Sequence, residues 1–305
     1  MRAVRRACSS AVSVALCSVA LCSSAPARAE WLSGPSRAIS NADSASPDAP
    51  VTGYAYGPRA QVSLGGELAL FSVRSARSTF RLGGSALVVF EDAQRHGALP
   101  TETLRSAFEL SLAWSLTEFA TRTLGPGKEL ELSLALGHHS ALPMTDFTLG
   151  DRYHSDDVPF GAGGAYLAGD AAFRTPLGQR FLAFSRLGLR CYTNAFPDLV
   201  GAHEASDFVA DAWHEGAEYR TFFELGLRLR GAGVEPLGRW YFELIQPHDD
   251  SAKPLALTRL LLGAALPGAR FELTPFTALE AGHGAGIAVN RTELRFAVGV
   301  RLDAR

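Results

Sequence analysis

The stretch "KELELSLALGHHSAL", Lys128–Leu142, decides how the rest of the chain is read. Leu130, Leu132, Leu134 and Leu136 alternate with Glu129, Glu131, Ser133 and Ala135. A period of two is the signature of a β-strand, whose successive side chains leave on opposite faces. One face is therefore apolar, carrying His138 and Ser140 at its end, and the other is polar and small, ending in His139.

The same pattern recurs on both sides. In Thr292–Leu302, "TELRFAVGVRL", Leu294, Phe296, Val298 and Val300 oppose Glu293, Arg295, Ala297, Gly299 and Arg301. Tyr219–Arg230 and Leu104–Leu116 alternate in the same way. Further segments lie near 51–57, 59–73, 78–92, 160–173, 179–193, 236–247, 255–266 and 269–283, which predicts twelve strands in all. Several exceed ten residues, long enough to cross a bilayer when tilted, whereas ordinary strands have about five or six.

The links carry the topology. Short ones fall near 74–77, 174–178, 231–236 and 266–269, and long ones at 93–101, 141–159 and 194–213. Short turns at one end and long loops at the other describe an antiparallel up-and-down transmembrane β-barrel with extracellular loops. The link at 117–126 departs from this by being too long for a tight turn. The competing fold is a soluble barrel or sandwich, which would hide the apolar face instead of presenting it to lipid. With the barrel topology, Trp114, Trp240 and Phe181 are expected toward the periplasmic interface and Tyr219 toward the outer one.

The N-terminus predicts export. "MRAVRR" is a basic start, an apolar run follows, and Ala27-Arg28-Ala29 is a small-x-small cleavage site before Glu30. The chain thus divides into a signal peptide at 1–29, a flexible periplasmic leader at 30–50 and an outer-membrane β-barrel at 51–305. Past residue 29, 25 Lys and Arg face 31 Asp and Glu. That balance excludes nucleic acid as a partner and leaves outer-membrane lipids. Of the four cysteines only Cys191 would remain, so no internal disulfide is expected.

Parity sends His138 and Ser140 outward, near the outer leaflet. His-x-Ser at this strand end and on this face resembles the motif of outer-membrane phospholipase A and the lipid A deacylases. That resemblance implies a lipid-ester hydrolase with Ser140 as nucleophile, His138 as base and Glu102 or Asp151 orienting the base. A hydroxyl needs such a base to act as a nucleophile. Without catalysis, the same residues form a polar rim at the headgroups. The loop at 145–161 carries Asp151, Asp156 and Asp157, oxygen ligands suited to calcium. His203-Glu204 and His214-Glu215 lack zinc-ligand spacing.

The inward faces repeat charge, among them Arg81, Arg186, Arg220, Arg228 and Arg301 against Glu67, Glu109, Glu131, Glu224 and Glu243. Paired, they would plug the lumen and leave a structural or surface-binding barrel. Unpaired, they would line a small solute pore. The hydrolase reading carries its own test. Ser140→Ala should abolish hydrolysis of detergent-solubilised phospholipid, with or without calcium, while the barrel still folds, and an inactive wild type would remove the reading.

Overall fold

The computed structural model describes residues 28–32, 34–37, 39, 44, 46, 52–56, 60–75, 78–93, 101–143, 162–193, 219–231, 233–246, 255–269, 271–283 and 292–304. Within them the chain is all-β. A short strand β1 (Arg28–Trp31) precedes twelve barrel strands: β2 (Thr52–Tyr56), β3 (Ala60–Arg74), β4 (Thr79–Ala93), β5 (Thr101–Ser115), β6 (Glu129–Pro143), β7 (Ala162–Leu177), β8 (Phe181–Thr193), β9 (Tyr219–Leu229), β10 (Glu235–Gln246), β11 (Leu255–Pro267), β12 (Phe271–His283) and β13 (Thr292–Ala304). One helix, α1 (Thr117–Leu124), occupies the overlong link between β5 and β6. Among the described residues no helix is long and apolar enough to cross a membrane.

Every strand from β3 to β13 pairs antiparallel with its neighbours in sequence. The ring closes where β13 meets β2, through Ala297↔Tyr56, Val298↔Ala55, Gly299↔Tyr54 and Val300↔Gly53, and where β2 meets β3. Closure matters because an open edge would leave backbone donors and acceptors in hydrocarbon with no partner.

The surface is inverted relative to a soluble barrel. On β13, Leu294 is 74%, Phe296 58% and Val298 54% exposed, while Ala297 is 0%, Arg301 2% and Asp303 3% exposed. On β6, Leu132 and Leu136 are exposed, whereas Glu131, Ser133 and Ala135 are buried, as the alternation predicts. The apolar face points out and the charged face points in, which is the arrangement of a barrel solvated by lipid.

Trp240 stands near the middle of β10, five residues along from Glu235. Its indole N–H donates to Thr258 Oγ1 at 2.7 Å, so the polar tip is satisfied without reaching water. Strand pairing reaches into the start of the 30–50 segment. Arg28–Trp31 is a wall strand, paired with Phe71–Arg74 of β3, and Trp31 lies on Phe71 with ring centroids 4.8 Å apart. The Glu30↔Ser72 and Trp31↔Phe71 pairs lie beyond the expected cleavage point. β1 and β2 thus share one side of β3, β1 along its lower end and β2 along its upper end.

Between them the chain leaves the wall. Leu32 adopts φ 51° and Gly34 φ 82°, left-handed conformations that turn the backbone inward. Leu32 N–H donates to Leu70 O at 3.2 Å, and Ala69 N–H donates to Gly34 O at 2.8 Å. The β3–β4 register shifts between Ala69 and Phe71, a bulge at the point of departure. Ser36, Arg37, Ile39 and Ser44 are all buried. These residues of the 30–50 segment form a strap inside the barrel, held by the polar contacts described below.

The inverted surface gives a direct expectation. Val298→Arg, at the middle of β13, should destabilise the barrel by about 2–4 kcal/mol, the cost of a cation at the bilayer midplane. Val298→Leu should be nearly neutral, with urea unfolding from lipid vesicles as the measurement.

Candidate functional site: the charged lumen and its strap

The inward faces of the strands build a lattice of ion pairs. Arg259 meets Glu280 at 3.0 Å, Arg228 meets Glu272 at 2.7 Å, Arg220 meets Glu243 at 3.6 Å and Arg301 meets Asp303 at 2.8 Å. Arg228 also pairs with Glu235 near the short β9–β10 turn. Arg186 lies between Asp170 at 3.6 Å and Glu224 at 4.0 Å, and Arg81 lies 3.9 Å from Glu131. Most of these side chains are almost wholly buried, where an unpartnered charge would be prohibitively costly.

The centre of the lattice belongs to the strap. Arg37 Nη1 donates to both carboxylate oxygens of Asp170, at 3.0 and 2.8 Å, and Nη2 donates to Glu109 Oε1 at 3.2 Å. Asp170 and Glu109 lie near the middles of β7 and β5, so this junction sits about halfway through the barrel. Burial pulls the Arg37 pKa down, but Asp170 and Glu109 overcome it and hold the guanidinium above its ordinary value. Other rungs fix the strap on either side. Ser36 Oγ donates to Glu67 at 3.1 Å, Arg186 donates to the Ile39 carbonyl at 3.2 Å, and Ser44 Oγ donates to Glu224 at 2.8 Å. Arg301 donates to the Ser44 carbonyl at 2.7 Å. Ile39 adds an apolar contact in a cluster with Ala172 and Phe184.

Glycines make room for these packings. A Cβ on Gly83 would stand 2.6 Å from Ser36 Cβ and 2.4 Å from the Leu68 carbonyl oxygen, so β4 passes the strap only without a side chain there. A Cβ on Gly137 would stand 2.1 Å from the Tyr166 ring, which lies across β6. Tyr166 is 1% exposed, and its hydroxyl donates to Glu109 at 3.2 Å. Arg190 sits 5.6 Å from the Tyr166 ring and 5.3 Å from the Phe222 ring, in cation–π geometry.

The His-x-Ser residues have a defined backbone position. His138 pairs with Phe108 of β5 and Ala165 of β7, and Ser140 pairs with Ser106 and Gly163. The His138 side chain is half-buried, while those of Ser140 and Glu102 lie outside the described residues, as do Asp151, Asp156 and Asp157 entirely. The ladder fixes the position of the Glu102 backbone. Glu102 pairs with Asp92 and stands six residues along β5 from Phe108, roughly 20 Å at the rise of a strand. The register does not bring Glu102 beside His138.

Neither a protein-family model nor a curated protein sequence matches the chain. Several solved structures are similar to it, two of them as follows. The copper transporter OprC aligns at 13% identity and a TM-score of 0.38, over 79% of this chain and 41% of OprC. The beta domain of the Bordetella autotransporter BrkA aligns at 15% identity and a TM-score of 0.38, over 80% of this chain and 91% of that domain. The chain thus spans less than half the length of OprC. The barrel itself is established by the closed strand ladder and the inverted surface.

Arg37→Ala should leave Asp170 with a buried charge deprived of its closest cation and cost about 3–5 kcal/mol. Gly83→Ala should cost less, about 1–3 kcal/mol, by crowding the strap. Both are read by urea unfolding of the vesicle-inserted barrel.

Proposed function

We propose that this protein is an outer-membrane β-barrel closed to free passage of solutes, whose strap and ion-pair lattice plug the lumen. Its long extracellular loops then act as a surface for structural or binding contacts outside the cell. The observation carrying this reading is the Arg37 guanidinium bonded to Asp170 and Glu109 on strands separated by β6. A chain segment bridging the wall at mid-height competes directly with an open channel. The small-pore reading requires that this bridge be absent or displaced.

Planar-bilayer recording separates the two. The wild type should give no steady conductance steps. Arg37→Glu, which sets a third carboxylate against Asp170 and Glu109, should expel the strap and produce steps. Steady porin-like steps from the wild type would overturn the plugged reading.

A further inference from the structure

The Arg37 junction is built in an unequal way. Its acidic half is organised by the wall alone. Asp170 accepts a hydrogen bond from Ser133 Oγ of the adjacent strand and lies 3.6 Å from Arg186. Glu109 is held by the Tyr166 hydroxyl, and Tyr166 is fixed because its ring fills the space over Gly137. The cationic half arrives on a strap that begins and ends elsewhere. Among the described residues Arg37 is the only cation in contact with Glu109. The side chains of Arg37 and Asp170 are each 6% exposed, so the two charges meet away from bulk water. A preorganised, buried, doubly acidic recess accepting a planar fork of N–H donors is a receptor for a guanidinium group.

We propose that the lumen contains a binding site for a guanidinium-bearing solute, formed by Asp170 and Glu109 with Ser133 and Tyr166 as positioning residues, and occupied at rest by the chain's own Arg37. A free solute with the same head group competes with Arg37 for the two carboxylates. Its binding displaces Arg37 from the two carboxylates, while the Ser36, Ile39 and Ser44 contacts still hold the strap. Simple metal cations lack the planar fork that can satisfy Asp170 bidentately and Glu109 at once, so they compete less well. This inference rests on the reading that Ser36, Arg37, Ile39 and Ser44 fill the lumen.

Chemical rescue tests it on the full chain. Purified Arg37→Ala barrel is titrated with methylguanidinium at millimolar, non-denaturing concentrations. The midpoint of thermal unfolding is followed by the heat-dependent shift in gel mobility. Methylguanidinium should raise that midpoint saturably by several degrees, whereas equal concentrations of sodium or tetramethylammonium should not. The wild type, whose site is filled, should shift little, and Arg37→Ala combined with Asp170→Asn should lose the response. Equal shifts in all three proteins, or none in a folded Arg37→Ala barrel, would overturn the proposal. If Arg37→Ala does not fold, its refolding yield with and without methylguanidinium is the readout, and a yield unchanged by the ligand counts against the site. A conducting wild type would sink the plugged reading while leaving this rescue pattern to be judged separately.

Discussion

Hydrocarbon offers a peptide backbone nothing to bond to, and every other feature of this barrel answers to that constraint. Twelve strands must return to their starting edge. The return is made by β2, which matches four residues of β13 and four of β3. Below it, β1 takes over the same side of β3 with four more pairs. The wall at this point is therefore assembled from two pieces of chain. Between them, Ser36, Arg37 and Ser44 are buried in the lumen, since the outward side is lipid and offers these polar groups no partner.

The interior follows from the same inversion. With the apolar surface facing the membrane, the lumen inherits the polar half of each strand, and charge replaces hydrocarbon as packing material. Buried ion pairs rarely stabilise more than well-packed apolar residues would, because desolvation offsets the attraction. Their value here is geometric. Arg37, Arg186 and Arg228 each reach more than one carboxylate, on different strands, and so tie together strands that are adjacent or a few places apart in the wall. The aromatic rings of Tyr166 and Phe222 fill the spaces over Gly137 and Gly188 where two such side chains could not both fit.

Much of the wall is legible in the amino-acid sequence. The alternation in Lys128–Leu142 reports directly on burial, since Glu131 and Leu132 differ in exposure as their parity demands. Twelve strands appear where the periodicity put them because lipid and lumen select opposite residue types at every step. Arg259, Asp170 and Asp303 complete the lattice from positions whose inward parity is readable in the alternation. The strap was not legible. Serine, alanine and proline are the composition of a flexible linker, and nothing local in Ser36 or Arg37 reveals that Glu67, Glu109 and Asp170 wait for them. Those partners are distant in sequence, up to 133 residues for Arg37 and Asp170. The position of Glu102 relative to His138 likewise depended on exact register, which a period of two leaves undetermined.

The strap is a bight and not a tail. On one side it runs into the wall at Trp31, which pairs with Phe71, and on the other at Thr52, which pairs with Ser63, so these are its two mountings. With both mountings in place it moves only as a handle swings. Any state in which it stands aside keeps it tethered over its own seat, at a high effective concentration, and ready to return.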